Sequence, residues 1–328
     1  MTDHKRIILE VCIPAFRRSE KTLEEQYTKK LCAEITEAAG DCEDMEISAV
    51  LIHNSGYLRN YNLTLLLRTI DTCYHTSHAV KTAETEPYQL SQSLLSTLRS
   101  FDYRSYIITY TTFNISEFKD TDLPFNYNLY ENARKLLQEY GIHEVCMKIT
   151  LGLKDSTLVS AIDSINRAVK HNYDMIRLVP GEELTDDMCL CASGILQARG
   201  FRQTGPGDFI KGKRPLFKAK ADDEVFGFGT GACSFIDSTL LENERDLSAY
   251  LNQEEHITRA VRLDENALMK RRLVFAIGNN LPVSEEDYDF DLIQKLTEKG
   301  YLLRHGEDCI PSFTCLAHLE EIDEIINA

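Results

Sequence analysis

The chain has 328 residues, 43% hydrophobic and 27% charged, which is length for one large α/β domain with an appendage or for two ordinary domains, and too apolar for general disorder. Its net charge of −16 excludes nucleic acid or an anionic membrane as the main partner, because binding phosphates takes a basic surface. The N-terminal stretch has no long apolar segment and no run approaches a membrane span, so a cytoplasmic protein is expected.

Short β-rich runs alternate with helix-length amphipathic runs six times. RIILEVCIP precedes a helix near 24–40, closed by Gly40 as its C-terminal cap. ISAVLIH (47–53) precedes NYNLTLLLRTIDTCY, AVKTAETEP (79–87) precedes YQLSQSLLSTLRS, and SYIITYTTF (105–113) precedes, after a loop, NYNLYENARKLLQEYG. EVCMKITLG (144–152) precedes STLVSAIDSINRAVKH, and MIRLVP (175–180) precedes LTDDMCLCASGILQARG. Such alternation reads as βα units around a parallel sheet. No Gly-rich dinucleotide fingerprint follows the first strand, which favours an open partial (βα)6 barrel over a flat doubly wound sheet, although periodicity alone leaves both open.

After about residue 200 the rhythm breaks. EVFGFGTGACSFID (224–237) is a Gly-rich apolar segment that closes a barrel domain spanning 1–238. The remainder, 239–328, is expected to be a small, mainly helical module whose end reads as helix, two short strands, helix, in winged-helix-like outline. Its acidic charge argues against a groove-binding helix and for a lid or a surface for a protein partner.

The ten cysteines fit no zinc-ribbon or C-x2-C spacing, and several lie in apolar runs as small buried hydrophobes. Cys189 and Cys191 share a helical pattern that points them apart. CYHTSH (73–78) lacks the i, i+4 histidines of a zincin helix, so no metal site is expected there.

Four segments then stand out together: AETEP (83–87), YGIHEVCMKITLGLKDSTLVSAIDSINRAVKHNYDMIRLVP, VFGFGTGACSFID, and the closing LTEKGYLLRHGEDCIPSFTCLAHLEEIDEII. In order, they resemble the oxygen-independent coproporphyrinogen III dehydrogenase and heme-chaperone branch of the radical S-adenosylmethionine enzymes. The resemblance implies an α/β fold, an open partial (βα)6 barrel with a small C-terminal module. In that family a C-x3-C-x2-C loop after strand one holds a four-iron cluster that binds and cleaves S-adenosylmethionine. Here the register runs Cys12-Ile13-Pro14-Ala15-Phe16, and the next two ligand positions are Glu20 and Leu23.

Further departures fall on the cosubstrate pocket. The family's G-G-G-T-P becomes His53-Asn54-Ser55-Gly56-Tyr57; Glu84 keeps an acidic place, Glu86 replaces an asparagine, Thr111 a glutamine and Lys148 an aspartate, while Cys233 replaces the histidine of the Gly-rich segment. The heme-chaperone signature falls near GKRPLF (212–217), which has no histidine. A degenerate, non-catalytic relative is therefore expected, with iron–sulfur cluster and S-adenosylmethionine absent and a porphyrin- or heme-type ligand as the inherited class. Its pocket candidates are Cys12, His53, Glu84, Glu86, Thr111, Lys148, Arg177 and Cys233, most of them at strand C-termini, the catalytic end of βα barrels. His53, His75 and His78 are expected to gather at that end.

Two alternatives keep the chain an enzyme. An active coproporphyrinogen III oxidase-like oxidoreductase needs three of Cys12, Cys32, Cys42, Cys73, Cys146 and Cys233 to converge on a cluster. A new acid/base chemistry would use Lys148 and Glu84 as the catalytic couple.

Overall fold

A computed structural model describes residues 6–42, 46–117, 127–212, 217–284 and 286–327. The first half runs β1 (Ile7–Cys12), α1 (Lys21–Ala38), β2 (Ile47–His53), α2 (Asn60–Cys73), β3 (Val80–Thr85), α3 (Gln92–Ser100) and β4 (Ser105–Thr111). It continues through α4 (Tyr127–Glu139), β5 (Glu144–Leu151), α5 (Leu158–Lys170), β6 (Met175–Pro180) and α6 (Asp186–Ala198). Short strands follow: β7 (Arg202–Gln203), β8 (Asp208–Ile210), β9 (Glu224–Phe228), β10 (Cys233–Ile236) and β11 (Thr239–Asn243). The chain ends with α7 (Leu247–Asn252), β12 (Ile257–Arg262), α8 (Glu265–Gly278), β13 (Val283–Ser284), α9 (Phe290–Glu298), β14 (Leu302–His305), β15 (Asp308–Pro311) and α10 (Leu319–Asn327).

Five of the helices, α3, α5, α6, α7 and α9, start where a side chain satisfies one of the first free amides. Ser91 accepts from the Leu94 amide at the start of α3, Thr157 and Ser160 form a reciprocal capping box on α5, and Asp246 and Asp289 cap α7 and α9. At the other end of α1 the sequence reading is corrected. The helix stops at Ala38, Ala39–Cys42 continues as a 3-10 turn, and Gly40 does not take the left-handed conformation of a C-terminal cap.

The chain forms two compact units, each assembled from three stretches. The first comprises Met1–Ile108, Lys135–Glu144 and Asp222–Asp264. Its strands lie in the order β12-β11-β10-β9-β1-β2-β3-β4. β9, β1, β2, β3 and β4 are parallel, and β10, β11 and β12 extend the sheet antiparallel. The stretch after 239 begins with β11, α7 and β12, and its two strands join this sheet before the helices α8, α9 and α10 follow.

The second unit comprises Thr109–Arg134, Val145–Ala221 and Glu265–Ala328. Its strands β5 and β6 are parallel, with β8 and then β7 added antiparallel. The helix–strand–strand–helix pattern at the chain's end is present as α9, β14, β15 and α10; with α8 and β13 it closes on a core that includes Leu273, Ile277, Ile293, Leu296, Leu302 and Ile326. Among the described residues no helix is long and apolar enough to cross a membrane.

Candidate functional site

In the first unit, three candidate residues end adjacent parallel strands. Cys12 and His53 are register partners on β1 and β2, and His53 Nδ1 lies 2.7 Å from Glu84 Oε2 near the end of β3. Glu84 is buried and the imidazole half-buried. The carboxylate therefore orients the ring, and the pair is chemically capable of holding or moving a proton. Cys12 does not complete a nucleophilic triad. Burial, then Glu10, Cys233 and Glu84, push its thiol up to about 12, so it stays protonated at neutral pH. Cys233, exposed at the start of β10, is also raised, by desolvation and by Glu242.

The loop after β1 carries the three positions where the resemblance implies cluster ligands. Phe16 is buried, its ring 5.5 Å from that of Tyr27. The Glu20 carboxylate accepts the Arg17 amide at 2.8 Å, and Leu23 lies half-buried in the first turn of α1. Tyr27 donates its hydroxyl to the Cys12 carbonyl and accepts the Thr230 amide at 3.2 Å, tying the end of β1 to the Gly-rich hairpin. Of the family's glycine run only Gly56 is kept, and a Cβ there would sit 2.3 Å from Thr85 Oγ1. Next to it, the Tyr57 hydroxyl donates to Glu86 at 2.9 Å and lies 2.7 Å from the Tyr88 hydroxyl. Desolvation above all raises both phenols, Tyr57 to about 12, so they serve as neutral hydrogen-bonding groups.

In the second unit, Thr111 ends β4 at φ 54, a left-handed conformation. Lys148 and Arg177 are register partners on β5 and β6, both half-buried. Arg177 Nε donates to Asp208 at 2.7 Å, and Lys218 pairs with the same carboxylate at 2.7 Å. Burial raises Asp208, but the two cations outweigh it and hold its carboxyl below the usual range. Lys148 and Glu84 belong to different units, and within its own unit Glu84 meets His53.

The expected gathering of histidines is corrected. His75 follows α2 and bridges to Glu46, just before β2, whereas His53 is the last residue of that strand; His75 and His78 are both exposed. The two ends of β2 lie roughly 20 Å apart at strand rise. Cys32 sits in α1 and Cys146 is buried within β5. Among the described residues no group of three or more His, Cys, Asp and Glu could hold a metal ion. Most of the GKRPLF segment, 213–216, lies outside the described residues.

Two buried carboxylates escaped the sequence reading. Glu24 accepts the Arg59 amide at 2.6 Å and Asn62 Nδ2 at 2.8 Å, and pairs with the Arg59 guanidinium. Glu34 accepts from Asn243 Nδ2 at 2.8 Å, the Gly229 amide at 3.2 Å and the Tyr250 hydroxyl, with His256 Nε2 at 3.2 Å. The signal was available: Glu24, Tyr27, Leu31, Glu34 and Ile35 fall at helical spacing on one face of α1, and two acids on an apolar stripe need partners.

No protein-family model matches the chain, and no curated protein matches its sequence. Among solved structures, the coproporphyrinogen III oxidase HemN of Escherichia coli, a radical SAM enzyme, aligns at TM-score 0.84 and 15% identity, covering 99% of this chain and 91% of that one. The fold is that of HemN. The resemblance read from the sequence and its fold class, an α/β partial (βα)6 barrel of radical S-adenosylmethionine type with a C-terminal module, are thereby established. Two looser likenesses are the methyltransferase TsrM of Kitasatospora setae with cobalamin and a [4Fe–4S] cluster bound (TM-score 0.36, 12% identity, 45% of this chain, 29% of that one) and the Elp3 of Methanocaldococcus infernus (TM-score 0.39, 11% identity, 54% and 46%).

The HemN likeness corrects the expectation about cofactors. HemN is a radical SAM enzyme and nearly the whole chain has its fold, so the absence of cluster and S-adenosylmethionine is not a property to expect of this protein. The chain's own side chains support a narrower statement. Phe16, Glu20 and Leu23 do not fit the three-thiolate ligand set that the family places in the loop after β1.

Proposed function

We propose that this chain is a non-catalytic derivative of the HemN fold that binds a porphyrin-class ligand at its strand C-termini. The loop after β1 carries the first half of the reading: Phe16 is committed to packing on Tyr27 and Glu20 to the Arg17 amide, so this loop has become a structural connection. Inheritance supports the second half, since HemN acts on coproporphyrinogen III and the chain keeps that fold almost end to end. Lys148, half-buried midway along β5, is a cation of the kind that pairs with a propionate carboxylate, while Arg177 is already paired with Asp208.

The test has two arms. In the first, coproporphyrin III is titrated into the purified chain and followed by absorbance and fluorescence. Saturable binding is expected, weakened about fivefold or more in K148A. In the second, the chain is treated anaerobically with iron and sulfide and then given coproporphyrinogen III, S-adenosylmethionine and reductant. Unchanged coproporphyrinogen is expected. Turnover in the second arm would overturn the non-catalytic reading, and absence of saturable binding in the first would overturn the ligand class.

A further inference from the structure

The first unit contains a cavity of about 550 Å³, built from none of the strand-end candidates. That volume is within the range of small-molecule sites, roughly 300–1,000 Å³. Its apolar lining comes from Phe226 and Phe228 on β9, Ile236 on β10 and Leu241 on β11. Both phenylalanines are buried, while Ile236 and Leu241 are half-buried. The two rings are next-but-one on a strand, so they share a face of the sheet and give the cavity an aromatic wall.

The inner polar groups of the lining already have partners. Glu34 is held by Asn243, Gly229, Tyr250 and His256, and Ser234 accepts the Gly227 amide at 2.9 Å. These groups stiffen the wall and require nothing from a ligand. The outer lining differs. Glu37, Glu254 and Glu255 are exposed there, Glu37 within electrostatic reach of His256. Lys30, a cation on the same helix as Glu37, is occupied by the Gln253 carbonyl and lies 5.3 Å from the Tyr250 ring centroid.

We propose that this cavity binds an organic cation with an apolar, aromatic body, its rings against Phe226 and Phe228 and its ammonium group among the outer carboxylates. The body gains from leaving water against the apolar lining. Beside a low-dielectric wall, the carboxylates act on the ammonium group more strongly than they would in open water. An anion meets three carboxylates and is rejected, so this site does not compete for a porphyrin with its propionates.

The experiment compares 2-(1-naphthyl)ethylamine, 2-(1-naphthyl)ethanol and 3-(1-naphthyl)propanoate by calorimetry on the full chain. The amine is expected to saturate one site, the alcohol to bind about fivefold or more weakly, and the acid not to bind. The triple variant E37Q/E254Q/E255Q, which changes only exposed groups, should bring the amine down to the alcohol's affinity. L241W, confirmed as folded by its thermal transition, should weaken binding of both about fivefold or more by placing an indole against the aromatic wall. Equal binding of amine and alcohol would overturn the charge selection. Amine binding undiminished in L241W would place it elsewhere, and no saturation by the amine would remove the site.

Discussion

Glu34 illustrates what a single buried carboxylate demands. With its partners from β11, α7, the Gly-rich turn and His256 it is a bonded hub; without its side chain, Asn243, Tyr250 and Gly229 lose an acceptor in a dry place. E34A should therefore cost about 3 kcal/mol of unfolding free energy, and Y250F, which removes one donor, about 1 kcal/mol. Urea denaturation of both variants beside the wild type measures the difference, and equal, small losses would show that the hub is not cooperative. Two histidines offer a pH signature of opposite sign. His256 is raised above its ordinary 6.5, by its hydrogen bond to Glu34 first, against desolvation and Lys30. Its stabilising contribution is fully present below 6.5 and is lost as pH rises through the folded-state value. His171, buried among Tyr110, Phe113 and Tyr173, is lowered by desolvation first and by Arg134, against Glu131. Its contribution is present above 6.5 and is lost as pH falls towards the folded-state value. Stability measured between about pH 5 and 8 should lose its alkaline decline in H256Q and its acid decline in H171F. An unchanged profile in either variant would remove that histidine from the account.

At the scale of elements, two glycines separate what the chain needs from what it tolerates. Gly229, in the turn after β9, has φ +94, and a Cβ there would meet Tyr27 Oη at 2.3 Å and the Cys12 carbonyl at 2.4 Å. G229A should cost more than about 2 kcal/mol, since both conformation and space oppose it. Gly40 has nothing within 4 Å of a Cβ and no positive φ, so G40A should be neutral or gain about 0.5 kcal/mol. Thermal melts of the two variants would show a gap of several degrees; a gap of the reverse sign would mean the hairpin is not pinned to Tyr27. The same contrast explains what could be read in the sequence. β1, β2 and β6 are short, largely buried runs followed by capped or amphipathic helices, and such runs stand out from their surroundings. β12 is exposed along nearly its whole length, so no apolar alternation marks ITRAVR as a strand. At the site, Cys12, His53 and Glu84 were legible because a strand's last residues face the loops that follow it. His75 was misplaced because α2 returns the chain to the start of β2. Tyr27 and Glu34 were passed over because a helix's buried face was read as core and not as a set of bonds.

For the whole molecule, the interleaving of the two units has a consequence for truncation. Residues 239–264 belong to the first unit, where β11 pairs with β10 and carries Asn243, while α7 carries Tyr250 and the segment before β12 carries His256. A chain ending at 238, the boundary the sequence rhythm suggests, would keep Glu34 on α1 and lose those three partners together. Stripping partners from a buried charge costs about 3–5 kcal/mol, a large share of the 5–15 kcal/mol that hold a typical domain together. It would also leave β10 as an open edge and take α8, α9 and α10 from the second unit. The fragment 1–238 should therefore lack a cooperative thermal transition and fixed near-ultraviolet dichroism, while 1–328 shows both. Adding E34L to the fragment separates the causes, since it removes the stranded charge without restoring the lost strands. Partial recovery of the transition would locate the defect at Glu34. No recovery would locate it in the sheet edge and the missing helices. A cooperative, native-like transition in 1–238 itself would mean that neither the hub nor the antiparallel strands β11 and β12 are needed to hold the parallel sheet.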